Sequence, residues 1–150
     1  MAYYSGVNGQ LWVNGTKAGH VKNWALTSAA STLDTTHLGN TDRTLVAGLR
    51  SSSGSCVLMY YQDSPGSGGG ACSVLIDSIL QARTSSAVAG NAQAPQSVTL
   101  KLKIEDGTTG GRYIEAPVQL TSVSMQCAQG EVFSAACTFE VNGAPTEVVL

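Results

Sequence analysis

A chain of 150 residues has the length of one domain, and a hydrophobic share of 43% excludes disorder throughout. Charged residues make up 12%, about half the usual share, and the formal net charge is −2 with no basic cluster, which argues against sequence-specific binding to nucleic-acid phosphates. A surface so poor in charge suits either a protein buried against copies of itself or a Ser/Thr/Gly-rich secreted β domain.

Gln10-Leu11-Trp12-Val13 reads as a short strand, and Asn14-Gly15 as a hairpin turn. The next strand is expected from about His20 to Thr27, with Val21, Asn23, Ala25 and Thr27 on one face and Lys22, Trp24 and Leu26 on the other. A long Ser/Thr-rich excursion follows, expected as a loop over residues 28–55. It carries Leu33, Leu38, Leu45, Val46 and Leu49, which a solvated linker has little reason to hold, and a partner chain is a candidate to cover them. Cys56 to Tyr61 is the third strand, and the run from Asp63 to Gly70 breaks it.

A helix is predicted from Ala71 to Arg83. Cys72, Leu75, Ile76, Ile79 and Leu80 fall at the spacing of a buried stripe, and Arg83 suits the negative end of the helix dipole. Thr84 to Pro95 is a connector of small residues. From Ser97, Val98, Leu100, Leu102 and Ile104 alternate with polar residues in the cleanest strand pattern of the chain. After a turn at 106–111, Arg112 to Ala116 returns, and Pro117 is expected at a strand start, an edge or a bulge. Val118 to Met125 leads to a turn at Gln129-Gly130. Glu131 to Val141 is the last long strand, and Pro145 to Leu150 an apolar tail. The reading is mainly antiparallel β, a sandwich or barrel with one flanking helix, in a single domain over 1–150.

Candidate chemistry is sparse. Gly66-Ser67-Gly68-Gly69-Gly70-Ala71 fits G-x-G-x-x-A before a helix, but the acidic residue of a dinucleotide site and the lysine of a P-loop are both missing. His20 and His37 are the two histidines. Asp34-Thr35-Thr36-His37 beside many serines makes a triad only on paper, with no nucleophile elbow. Cys56, Cys72, Cys127 and Cys137 match no zinc spacing, so neither a metal nor another cofactor is expected. Met1 is followed by no basic and apolar leader, so no signal peptide is expected and the cysteines are expected reduced. A disulfide between Cys127 and Cys137 is not favoured, because the expected turn pairs Cys127 near Val132. No run reaches membrane-spanning length. Trp12 and Trp24 read as core or interface anchors, or alternatively as stacking platforms of a carbohydrate-binding sandwich.

The order of elements resembles a known family. Gly19-His20-Val21-Lys22-Asn23-Trp24-Ala25-Leu26 is similar to the second strand of bacteriophage tail tube proteins (major tail proteins), of pattern G-x-V-x-x-W/F-x-L. Asp34-Thr35-Thr36-His37-Leu38-Gly39-Asn40-Thr41-Asp42-Arg43 resembles that family's following segment, and Gly48-Leu49-Arg50-Ser51-Ser52-Ser53-Gly54-Ser55 its entry to the next strand. The closing hairpin, with Val123-Ser124, Gly130-Glu131-Val132 and Thr138 to Gly143, also looks like the family's. The resemblance covers Val7 to Pro145. It implies a structural, non-enzymatic virion subunit that assembles in the host cytoplasm into hexameric rings, which stack into the tail tube that conducts DNA.

On that resemblance the N-terminal arm is 1–7 and the C-terminal tail 145–150. The inter-ring contacts fall to Leu33, Asp34, Leu38, Asp42, Arg43, Leu45, Leu49 and Arg50, and the lumen to Glu105, Asp106 and Glu115. The implied partners are further copies of the chain, the tip or baseplate, the terminator, and a sheath if the tail contracts. DNA passes without sequence-specific binding, and the chain inserts in no membrane. Alternatives on the same fold are a tail terminator or a type VI or pyocin-like tube.

Overall fold

Strand β1 (Gly9–Val13) turns back at Asn14-Gly15 into the two-residue β2 (Thr16–Lys17). Both turn residues have positive φ, 48° and 81°, the combination whose twist matches a hairpin and which Asn-Gly tolerates best. The computed structural model describes residues 5–18, 20–60, 70–80, 97–104 and 110–150. The other elements are β3 (Val21–Asp34), β4 (Leu45–Met59), α1 (Gly70–Asp77), β5 (Val98–Ile104), β6 (Arg112–Gln126), β7 (Ser134–Val141) and β8 (Glu147–Val149). They form one antiparallel eight-stranded sheet in the order β2-β1-β5-β6-β7-β4-β3, with β8 added beside β6.

Strand β6 holds the sheet together. Its first half pairs with β5 on one side and β8 on the other, and its second half pairs with β7. Pro117 lies inside this 15-residue strand rather than at its start. The position tolerates a missing N–H because β8 pairing ends at Glu115 and β7 pairing begins at Val118. The Pro117 carbonyl, on that same side, accepts instead from the Asn142 amide of the connecting loop at 2.9 Å.

The sheet rolls so that β1 approaches β3. A Cβ at Gly9 would stand 3.5 Å from the Trp24 indole nitrogen. Of the sandwich and barrel alternatives, this is a single rolled sheet. Its inner face holds the core: Leu11, Val13, Cys56, Leu58, Val98, Leu100, Leu102, Val118, Leu120, Ala135, Cys137 and Phe139. Each large side chain buried there contributes about 1.5–3 kcal/mol relative to exposure.

Three register shifts interrupt the described ladders, one of them between Ala30 and Thr32 in the β3–β4 hairpin, and the other two correct the simple alternation at the core. Lys22 is an extra residue opposite β4, so Val21 joins Trp24 and Leu26 against the core instead of sharing a face with Asn23. Thr121 is extra in β6, which brings Val123 to the same face as Leu120.

The helix is shorter than predicted. It ends at Asp77, not Arg83, which lies outside the described residues with the connector 84–95. Ser78 Oγ donates to the Leu75 carbonyl at 2.7 Å, and Ile79 N–H reaches the Ile76 carbonyl at 3.1 Å, tightening the final turn. Leu75 and Ile76 are buried and Ile79 packs on the core, while Leu80 is exposed.

Three more expectations need correction. The apolar tail is a strand, because Glu147, Val148 and Val149 pair with Glu115, Ile114 and Tyr113. The last long strand starts at Ser134, since Glu131 still belongs to the turn, its amide donating to the Ala128 carbonyl. The excursion over 28–55 is not a loop: both its sides are strand, with only residues 35–44 between them.

Candidate assembly site

Strands β3 and β4 pair from Val21 opposite Leu58 to Asp34 opposite Leu45, but β7 supports β4 only as far as Ser53. Beyond Ser28 and Ser52 the hairpin therefore continues as a two-stranded arm, with no third strand and no buried side chain among the described residues. Backbone ladders and local polar contacts hold it. Ser52 Oγ donates to Ser28 Oγ at 2.9 Å, and Ser31 Oγ donates to the Leu49 carbonyl at 3.1 Å.

At the tip, Arg43 Nε donates to Asp34 Oδ2 at 3.0 Å, and the Thr36 amide to Asp34 Oδ1 at 2.9 Å. The Thr36 hydrogen bonds come first, and Arg43 adds to them, in holding the Asp34 carboxyl below its ordinary range. His37 Nδ1 lies 3.2 Å from Asn40 Nδ2. The carboxylate and imidazole of the paper triad are thus both engaged in shaping the tip.

The structure places all eight residues expected at ring contacts on this arm, all exposed. Leu38 is fully exposed, Leu49 88% and Leu33 61%. Leu33 pairs directly with Val46, so those two share one face, while Leu45 pairs with Asp34 on the other. Both faces of the arm carry exposed apolar groups.

The outer face of the main sheet was missed by sequence reasoning. Its cross-strand rows read Asn23, Val57, Ala136, Ser124; then Ala25, Ser55, Thr138, Ser122; then Thr27, Ser53, Glu140, Gln119. Glu140 is the one charged residue in these rows. Thr121, Ser122 and Thr138 hydroxyls bond one another across it. A signal was present, since Ser51, Ser53 and Ser55 alternate through β4.

Across β6 the outer face changes character. Lys101 Nζ lies 3.0 Å from Glu115 Oε2 and 4.5 Å from the centre of the Tyr113 ring, and Lys103 stands over Trp12. The Glu115 hydrogen bond raises the Lys101 pKa above its ordinary value, and a hydrogen bond to Glu147 raises that of Tyr113. Of the acids expected at the lumen, Glu115 is therefore ion-paired, and Glu105 and Asp106 lie outside the described residues. Trp24 packs on the core and Trp12 sits beneath Lys103, so neither ring is a bare platform for a sugar. The G-x-G-x-x-A run is outside the described residues up to Gly69.

No family model and no curated protein matches the chain. Solved structures do. A chain from the tail of an empty gene transfer agent particle with C6 symmetry superposes with a TM-score of 0.65 at 18% identity, over 98% of this chain and 100% of that one. The chain has the tail-tube fold. The SPP1 tail tube shares it at a TM-score of 0.64 and 10% identity, over 94% of this chain and 77% of that one. A chain of the sheath–tube complex of an extracellular contractile injection system matches at 0.67 and 10%, over 98% and 93%. Within the tail-tube fold, the resemblance read from Val21 to Ser55 falls on β3, β4 and the arm they form.

Proposed function

We propose that the chain is the structural subunit of a tail tube: six copies close into a ring, rings stack, and DNA passes along the bore during ejection. The observation that carries this reading is a fold shared with tail-tube structures over nearly the whole chain. Physical features agree with it. The 14-residue β3 stands at one edge of the sheet, and ring closure between copies is a standard way to remove such an edge. The arm, through Leu33, Asp34, Leu38, Asp42, Arg43, Leu45, Leu49 and Arg50, reaches the next ring.

The β3-β4-β7-β6 face, rather than Glu115, lines the bore in this reading. The small hydroxyl and methyl groups of these rows, with one acid and no cation among them, offer DNA little to grip, because phosphate affinity grows with each cation engaged. Negative-stain microscopy of the purified protein tests the proposal. Hollow rings or tubes of uniform diameter are expected, and a monodisperse monomer at high concentration overturns it.

A further inference from the structure

A further exposed apolar patch lies at the end of the sheet opposite the arm, where β4 stops and the β6–β7 turn begins. Tyr60 packs edge-on against Phe133 with ring centres 5.5 Å apart, and its amide donates to the Phe133 carbonyl. Val132 is 64% exposed and Met125 45%. Lys22, exposed at the start of β3, belongs to the same end, because Val21 pairs with Leu58 and the Met59 amide bonds to the His20 carbonyl.

The two patches cannot cover each other within one chain. Strand β4 connects them, and its 15 residues span about 50 Å at the usual rise per residue. Among the described residues each end carries an unpaired charge of opposite sign, although Glu131 beside Val132 adds an acid to the far end. Exposed Asp42 stands at the arm tip and exposed Lys22 at the far end, and among the described residues neither has an ion-pair partner. Two unlike patches at opposite ends of one strand are what a heterologous, open-ended contact between copies requires.

We infer that the end formed by Tyr60, Met125, Val132 and Lys22 is the socket that receives the arm of a second copy, with Leu38 and its neighbours on the apolar part and Asp42 beside Lys22. The inference rests on the tube reading and adds to it the receiving surface. It makes stacking directional, with every ring presenting arms on one side and sockets on the other.

Two variants test it: Leu38→Asp in the arm and Val132→Asp in the socket. Both positions are exposed, so each variant keeps the wild-type unfolding midpoint. Each alone is expected to give rings that do not stack. Rings of the two variants, formed separately and then mixed, are expected to join in pairs and stop, since only one good arm and one good socket remain to meet. Tubes of normal length from Val132→Asp overturn the socket while leaving the tube reading intact. So does a mixture with no ring pairs. Failure of the wild-type chain to form rings or tubes sinks the tube reading, and the socket with it.

Discussion

The Phe139 ring lies across Gly54 on the neighbouring strand: a Cβ at Gly54 would come within 2.6 Å of Phe139 Cζ and would also run into the Ala25 backbone carbonyl of β3. The two residues are directly paired between β4 and β7, and Phe139 is only 2% exposed. Gly54 is therefore the notch that lets the largest buried side chain of the core lie flat. Gly54→Ala is expected to destabilise the fold by about 1–3 kcal/mol through overpacking, although alanine is ordinarily the better strand residue. Urea unfolding measures it, and an unchanged midpoint would show that both the ring and the β3 backbone at Ala25 can give way.

Leucines of the core and of the arm should behave in opposite ways. Leu100→Ala removes a side chain that is 2% exposed and is expected to cost about 2–5 kcal/mol. Leu49→Ala, at a position 88% exposed, is expected to leave subunit stability within about 0.5 kcal/mol. On the proposed tube reading its effect is expected on ring stacking, read by counting rings per stack under the microscope.

The arm tip should loosen in acid. The folded Asp34 pKa is depressed below 3.8, chiefly by the Thr36 hydrogen bonds. A depressed carboxylate contributes stability that is fully present above its unfolded pKa and is lost as pH falls through the folded value. Amide exchange at Thr36, corrected for its intrinsic pH dependence, is thus expected to be steady at neutral pH and to accelerate below about pH 4. Asp34→Asn should abolish that pH dependence, and its persistence in the variant would assign it elsewhere.

Thiol reactivity should divide along burial. Cys56 and Cys137 face each other across β4 and β7, each 1% exposed, whereas Cys127 is exposed in the turn. The hydrogen bond with Cys56 lowers the Cys137 pKa against the opposing effect of burial, but a buried thiol is out of reach of a bulky reagent. A maleimide is expected to label Cys127 within minutes and Cys56 and Cys137 only on unfolding, as peptide mass mapping would show.

Glu140→Lys places a cation on the face assigned to the bore. Tubes of this variant are expected to retain DNA with an affinity that falls steeply with salt, whereas wild-type tubes retain none. Equal DNA retention by both would move the bore to another face.

Local pattern alone made much of this protein legible. Alternation from Val98 to Ile104 marked a strand with one buried face, because a strand side chain has only two directions to point. Asn14-Gly15 announced its turn through the backbone conformations it tolerates. The scattered apolar residues of 28–55 marked a segment unlike a solvated linker, and the structure leaves Leu33, Leu38, Leu45, Val46 and Leu49 exposed on the arm. Where local pattern misled, a competing local bond or an inserted residue was the cause. The Ser78 hydroxyl helped to end the helix early, and Lys22 and Thr121 shifted the strand phase by one.

What the sequence determined by itself was the class of structure and the segment that carries uncovered apolar residues, since both follow from periodicity and composition along the chain. Tertiary structure alone decided which residues share a surface. Strand order is set by pairings between segments far apart, such as Cys56 with Cys137 or Val98 with Val118, and no local preference encodes them. That order assembles the charge-poor face from four separate strands, and it places Val132 and Lys22 together at the end opposite the arm.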